Sequence, residues 1–288
     1  MKLLLKAPAK INWFLEILNK RDDGYHNILS AMQCVDLFDD LFFEKSDEIE
    51  LISDLKIPPE DNLVYRAAVL LKKYSSYRGG AKIILKKYIP QAAGLGGGSS
   101  DAAYTLLGLN RLWELRLETK TIAGLASEIG SDVPFFIYGM FSIVQGRGEK
   151  VRALKNGSSV AMLLVKPDIA VPASWAYSSY RAAKLTKKHI DIKLFCQFLG
   201  KKDFTSLRSM ISNDLEKPVI DKYHAVEDIK KTLIESGAVI SSMSGSGPAV
   251  FGVFNSAEQA ASASKNMGAN WCRVVRTLKT DEQGETKV

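Results

Sequence analysis

The segment Pro90-Gln-Ala-Ala-Gly-Leu-Gly-Gly-Gly-Ser-Ser-Asp-Ala-Ala103 constrains this chain more than any other. It separates a strand-like run, Ala81-Lys-Ile-Ile-Leu-Lys-Lys87, from a helix-like run. In the latter, Ala102, Leu106, Leu109 and Trp113 recur at helical spacing. Pro90 ends the strand, because proline cannot donate to a ladder. Four glycines, Gly94, Gly96, Gly97 and Gly98, let the chain turn with no Cβ in the way. The N–H groups of such a loop converge on an anion at the N-terminus of the following helix, which suits a nucleotide triphosphate. Neither common fingerprint fits. A Walker loop needs a lysine after its last glycine, where Ser99 stands, and a Rossmann loop needs glycine or alanine at Ser99. A flexible Gly/Ser linker is the competing reading, but linkers rarely join a strand to an amphipathic helix. Ser99 or Ser100 is expected to cap the helix, with Asp101 in its first turn.

The rest of the chain alternates strand and helix patterns. Strands are expected at residues 2–6, 11–18, 37–44 and 48–53, and a helix at 63–74, where Leu63, Ala67, Leu70 and Leu71 share a face. After the glycine loop and its helix come a helix at 119–129 and a hairpin over 143–151. The second half has a buried strand at 161–165 and helices at 174–183, 192–199, 203–210 and 226–235. A strand at 249–254, a helix at 257–267 and a strand at 271–276 close the pattern, with a polar tail beyond. This is an α+β arrangement, and its rhythm changes near residue 155.

Composition excludes several classes. With 288 residues, 46% hydrophobic and 25% charged, the chain can bury one large core or two modest ones. No apolar run is long enough to span a bilayer, and residues 1–6 are too short for a signal peptide. Cys34, Cys196 and Cys272 are odd in number, far apart and in apolar contexts, so reduced core thiols and a cytoplasmic location are expected. His189 and His224 have no partners at zinc-ligand spacing. The net charge of +7 admits a nucleic-acid-binding protein. Its lysines are scattered in pairs, however, and no base-stacking or groove-reading motif accompanies them. A modest positive field also attracts phosphorylated small molecules.

The glycine loop resembles the second motif of the GHMP small-molecule kinases. Pro8-Ala-Lys-Ile-Asn-Trp-Phe-Leu15 resembles the first motif, and Met243-Ser-Gly-Ser-Gly-Pro-Ala-Val-Phe-Gly252 the third. Gly24-Tyr-His26, Asp61-Asn-Leu63 and Ser131-Asp-Val-Pro-Phe-Phe136 are similar to the member that acts on a cytidine diphosphate polyol in the non-mevalonate isoprenoid pathway. The resemblance runs in order from Lys6 to about Arg276. It implies a two-domain α+β GHMP kinase fold. A ribosomal-protein-S5-like ATP-binding domain would span residues 1–155 and a ferredoxin-like domain 156–288, with the active site in the cleft between them. A monomer or weak homodimer with a small-molecule substrate is expected, and the scattered lysines and the lack of a long apolar run speak against nucleic-acid and membrane partners.

Phosphoryl transfer needs the γ-phosphate held in line with a hydroxyl, its charge stabilised and the proton removed. The resemblance assigns ATP to Pro90, Gln91, Ala92, Ala93, Gly94, Leu95, Gly96, Gly97, Gly98, Ser99 and Ser100, with Asn62 and Leu63 against the adenine. Mg²⁺ would bridge the β- and γ-oxygens, with Ser100 as its protein contact. Asp132 would be the general base and Lys10 its partner. An ammonium there orients the carboxylate and lowers its pKa, which a loose transition state tolerates. Asn12 lies on Lys10's side of the strand and would bond the polyol or Asp132. His26 would bond the polar edge of a cytosine, with Tyr25 on one face and Tyr177 on the other.

Each residue also has a plainer reading. Asp132 precedes Pro134 and suits a helix cap. Lys10 could be a surface lysine, His26 a solvated turn residue, Tyr177 a core aromatic and Asn62 an N-cap. Two positions depart from the family pattern. Trp13 stands where a smaller apolar residue is expected, and Ala173 where Ser or Thr is expected. Three alternatives remain open: a GHMP kinase for homoserine, mevalonate or a sugar; a basic nucleic-acid-binding protein; and a non-catalytic nucleotide sensor.

Overall fold

A computed structural model describes residues 2–155, 157–180 and 189–279. Two sheets organise it. The first contains β1 (Lys2–Lys20), β2 (His26–Ser46), β3 (Ile49–Ser53), β4 (Gly80–Lys86), β5 (Phe141–Gly146) and β6 (Lys150–Ala153). Its order is β3-β4-β2-β5-β6, and β1 pairs antiparallel along nearly all of β2. On its other edge β2 is shared: β5 pairs with its first part and β4 with its last. The second sheet contains β7 (Ala161–Lys166), β8 (Ile240–Met243), β9 (Val250–Phe254) and β10 (Trp271–Arg276), in the antiparallel order β10-β7-β9-β8.

Helices cover both outer faces. The first sheet carries α1 (Leu63–Ser75), α2 (Gly97–Leu112), α3 (Thr119–Ile129) and α4 (Val133–Tyr138). Around the second lie α5 (Ala173–Ser179), α6 (Ile192–Lys201), α7 (Phe204–Arg208), α8 (Glu216–Lys222), α9 (Ala225–Glu235) and α10 (Ala257–Ser264). One core lies under α1–α4, centred on Phe43, Leu71, Leu106 and Phe135. Another joins the two sheets through Ile11, Trp13, Phe141, Leu164, Phe195 and Phe251. A third lies under α8–α10, with Leu215, Leu233 and Phe254. Among the described residues, no helix is long and apolar enough to cross a membrane.

Several elements differ from the sequence reading for physical reasons. Residues 2–6 and 11–18 form one strand, because the register shifts at Pro8/Ala9 and a bulge accommodates the missing N–H. Strand β2 begins eleven residues before the expected start at 37. Residues 28–35 are all buried between two layers, which erases the alternation that marks a half-buried strand. Helix α8 was hidden by Pro218, which is tolerated because it falls in the first turn. Helix α5 corresponds to the first part of the helix expected at 174–183, and residues 181–183 lie outside the described residues. Cys34 is buried, but Cys196 and Cys272 are only half-buried.

The start of α2 is also corrected. The helix begins at Gly97, and its N-cap is Gly96 at φ 71°, with no side-chain cap. Neither Ser99 nor Ser100 caps it, and Asp101 falls in the second turn. Four small residues enter the helix directly from the loop, leaving the first N–H groups uncovered by a side-chain oxygen.

Candidate active site

Strand alternation places Lys10 and Asn12 on one face of β1, 3% and 1% exposed. A buried ammonium requires partners, and Lys10 has three. Its Nζ donates to Asn12 Oδ1 at 2.6 Å and to the Gly94 carbonyl at 2.9 Å. It lies 3.6 Å from Asp132 Oδ2, an ion pair rather than a close hydrogen bond. Burial lowers Lys10's pKa below the ordinary lysine value, and Asp132 opposes that shift. Asn12 is fixed in turn: its Nδ2 donates to Ser30 Oγ at 2.8 Å, and its N–H to Ser244 Oγ at 3.3 Å.

Asp132 occupies the N-cap position of α4, with Pro134 in the first turn, yet its side chain caps nothing. The carboxylate turns to Lys10 and is partly open to the cleft, 32% exposed. The capping alternative therefore describes its place in the chain and not its contacts.

The glycine loop reaches the same point. Gly94 has φ 76°, and a Cβ there would lie 2.1 Å from the Ser244 carbonyl oxygen. Only glycine lets the second and third motifs approach so closely. Ser244 Oγ donates to the Gly94 carbonyl at 3.0 Å, and Ala249 N–H to the Ala93 carbonyl at 3.1 Å. A Cβ on Gly96, at φ 71°, would meet Lys10 Cγ at 2.9 Å and Phe136 at 3.0 Å. Thus four sequence-distant segments converge on one ammonium.

A cleft of about 660 Å³ opens over this junction. Gly94, Gly96 and Ser99 line it. Ala93 and Leu95 turn their side chains into the core, and Gln91 and Ala92 are exposed. Pro90, Gly97 and Gly98 do not line the cleft. Ser100 is fully buried, and among the described residues its Oγ has no hydrogen-bond partner. Asn62 is the N-cap of α1: its Oδ1 accepts from Val64 N–H at 2.9 Å. Leu63 approaches the loop, 3.7 Å from the position of a Cβ on Gly98. Neither Asn62 nor Leu63 lines the cleft.

Tyr25, His26 and Tyr177 line the same cleft. The rings of His26 and Tyr177 stack on each other, 5.7 Å apart and 24° from parallel. Tyr25 is 53% exposed, with the Arg147 guanidinium 5.0 Å over its ring. Burial, and then Lys20, lower the His26 pKa, so the imidazole is neutral near neutral pH. Burial and the negative charge of Asp132 hold the Tyr177 phenol in its protonated form. Ala173 also lines the cleft and offers no hydroxyl. Trp13 does not line it. Its ring sits edge-on between Phe195 and Phe251, and its N–H is satisfied by Gln33. Sequence reasoning missed Arg147, whose signal was the Gly-Arg-Gly turn at 146–148, and the part Ser244 plays in holding the loop.

Residues 62–140 match the family model of the GHMP kinases N terminal domain, and residues 192–272 that of GHMP kinases C terminal. The chain belongs to the GHMP kinase family. It is 47% identical over 281 residues to a 4-diphosphocytidyl-2-C-methyl-D-erythritol kinase of Thermodesulfovibrio yellowstonii, covering 96% of this chain and 98% of that one. It is 45% identical over 261 residues to the protein of that name from Caldanaerobacter subterraneus, covering 90% of each. A crystal structure of a 4-(cytidine 5'-diphospho)-2C-methyl-D-erythritol kinase superposes with TM-score 0.84 at 29% identity, covering 96% and 99% of the two chains. A homoserine kinase from Cytophaga hutchinsonii shares the fold, with TM-score 0.73 at 19% identity. The two-domain GHMP kinase fold, with mixed helix and sheet, is the fold of this chain.

Proposed function

We propose that this GHMP kinase transfers the γ-phosphoryl of ATP to the 2-hydroxyl of 4-diphosphocytidyl-2-C-methyl-D-erythritol, a step of the non-mevalonate isoprenoid pathway. The observation that carries the reading is a single cleft holding both halves of the requirement. Lys10, Asp132 and the glycine loop meet there, and so do Tyr25, His26 and Tyr177. The names of its relatives at 45–47% identity over nine-tenths of the chain supply the substrate.

Each residue has a role in this reading. The amides of residues 94–98 and the Ser99 hydroxyl hold the phosphates, aided by the α2 N-terminus. The start of α1, with Asn62 and Leu63 beside Gly98, forms the adenine side. Asp132 accepts the proton of the 2-hydroxyl in direct in-line transfer. Lys10 holds that carboxylate in place and faces charge developing on the acceptor oxygen. Asn12 orients the polyol. His26 reads the polar edge of the cytosine, and Tyr25 and Tyr177 supply stacking surfaces. A neutral imidazole both donates and accepts, which suits an edge bearing both kinds of group. Lys20 and Arg147 give the cleft positive charge for a diphosphate. In this division of labour, residues 1–155 carry the nucleotide and residues 156–288 complete the cleft.

Mg²⁺ fits as a co-substrate ion held largely by phosphate. Among the described residues no group of three metal-ligating side chains occurs. Ser100 Oγ, buried behind the loop and without a hydrogen-bond partner among the described residues, offers one oxygen. Few protein ligands are what Mg²⁺ on a nucleotide requires. When bound, the ion neutralises β- and γ-phosphate charge. We also read the protein as a cytoplasmic monomer or weak homodimer with no nucleic-acid partner, because its paired lysines are scattered and lack stacking motifs.

The test is transfer of labelled phosphate from ATP to a panel of polyols, with and without a cytidine diphosphate group. Turnover should require that group. A uridine analogue turns a buried donor into an acceptor and should lower kcat/KM by roughly 5- to 150-fold, the equivalent of about 1–3 kcal/mol of lost recognition. Equal use of free polyols, homoserine or mevalonate would sink the substrate assignment, and equal use of uridine would mean that the base is not read.

A further inference from the structure

Lys87 immediately follows β4 and is outside the cleft. Its side chain is 9% exposed, and its ammonium pairs with Asp39 and, at 2.6 Å, with Asp101. Both carboxylates are at least as deeply buried, at 0% and 2%. Asp39, on β2, uses its other oxygen to accept the N–H groups of Tyr88 at 2.6 Å and Ile89 at 2.9 Å. These are the last amides before Pro90 opens the glycine loop. Asp101 lies in the second turn of α2, the helix that leaves the loop. Lys87 Nζ also reaches 3.2 Å from where a Cβ on Gly97, the first residue of α2, would stand. One buried cation therefore ties the strand entering the loop to the helix leaving it.

Stability alone does not explain such a cluster. Burying ionised groups costs desolvation, and well-packed apolar residues often hold a core as firmly. What the triad supplies is fixed geometry at the two ends of one loop. Burial pushes the Asp101 carboxyl up to about 7, against the pull of Lys87 and with the push of Asp39. Protonation of Asp101 removes net negative charge from beneath a loop that receives a polyanion.

We propose that Lys87 is a positioning residue for the nucleotide: clamped between Asp39 and Asp101, it pins both ends of the glycine loop so that the phosphate-binding amides are set before ATP arrives. The proposal rests on the kinase reading above. None of the three side chains lines the cleft, so they act through the loop and not on a substrate.

Lys87→Met tests it. KM for ATP, and the calorimetric Kd, should rise about tenfold through lost preorganisation, with kcat at saturating ATP and KM for the cytidine substrate within about twofold. The single variant leaves two carboxylates without their cation and is read only where it folds. The double variant Lys87→Met/Asp101→Asn removes one charge of each sign, so it should regain melting temperature yet keep the raised KM for ATP. A wild-type KM for ATP in either folded variant would overturn the positioning role while leaving the kinase reading intact. A wild-type protein without ATP-dependent turnover would overturn both.

Discussion

At the residue scale, the Lys10–Asp132 pair carries the chemistry. Asp132→Asn keeps the size of the side chain but cannot take the proton. Single-turnover transfer should slow by roughly 10²-fold or more, with ATP affinity little changed. Lys10→Met should share the defect, and the double variant should be less than additive if the pair acts as a unit. A near-wild-type rate in Asp132→Asn would mean that the proton leaves directly to phosphate or water. The pH dependence has a definite sign. Burial lowers the Lys10 pKa, so raising pH removes its charge earlier than for an ordinary lysine. The kcat profile should fall on an alkaline limb below the ordinary lysine value of 10.5, and Lys10→Met should lack that limb. The folded state binds this proton less tightly than the unfolded chain. The Lys10 contribution to stability therefore rises with pH between the two pKa values. An unmoved limb in Lys10→Met would assign it to another group.

At the element scale, the glycine loop and α2 form a device whose shape depends on missing side chains. Gly96→Val would place β-branched bulk at φ 71° and against Lys10 and Phe136. ATP affinity measured by calorimetry on folded protein should be lost, and retained affinity would remove the loop from the nucleotide site. Gly124, inside α3, is a useful contrast, with nothing within 4 Å of its added Cβ. Gly124→Ala should stabilise the protein by roughly 0.5–1 kcal/mol, because alanine gains helix propensity without a clash. A urea midpoint equal to or below that of wild type would contradict this. The glycines of this chain are thus distinguished by their surroundings and not by their count.

At the scale of the whole molecule, the cleft depends on how the two sheets are joined. Gln33 lies wholly buried at that seam. Its Oε1 accepts the Trp13 N–H at 2.8 Å, and its Nε2 donates to the Ser158 and Leu278 carbonyls at 3.2 and 2.9 Å. Asp36 adds a contact to the second sheet by accepting the Arg276 N–H at 2.6 Å. Gln33→Ala would strand a buried indole N–H and the Leu278 carbonyl, whereas the Ser158 carbonyl keeps Thr277 Oγ1 as a donor; the cost is roughly 2–4 kcal/mol. Equilibrium urea unfolding should show a lower midpoint, and a loss below about 0.5 kcal/mol would mean that water or apolar packing holds the seam instead. Trp13, a departure at the sequence level, is thereby a structural member of this joint.

The sequence by itself determined the glycine loop, the three family motifs and the helices with a clear apolar face. Residues 119–129 form α3 as their spacing predicts, and 271–276 form β10. These signals are local: turn chemistry and periodicity act over a few residues. Tertiary structure decided what depends on distant partners. Strand β2 was illegible where both faces are buried, and the start of α2 was set by Gly96 in a left-handed conformation, not by a serine cap. The two readings of Asp132 differ only by where its carboxylate points, and Lys10 lies 122 residues away in the chain. Likewise Asp39, Lys87 and Asp101 are unremarkable in sequence and become one charge cluster only when β2, β4 and α2 pack. Local patterns fix elements, whereas the desolvation that makes a buried charge need its partner exists only after those elements close over it.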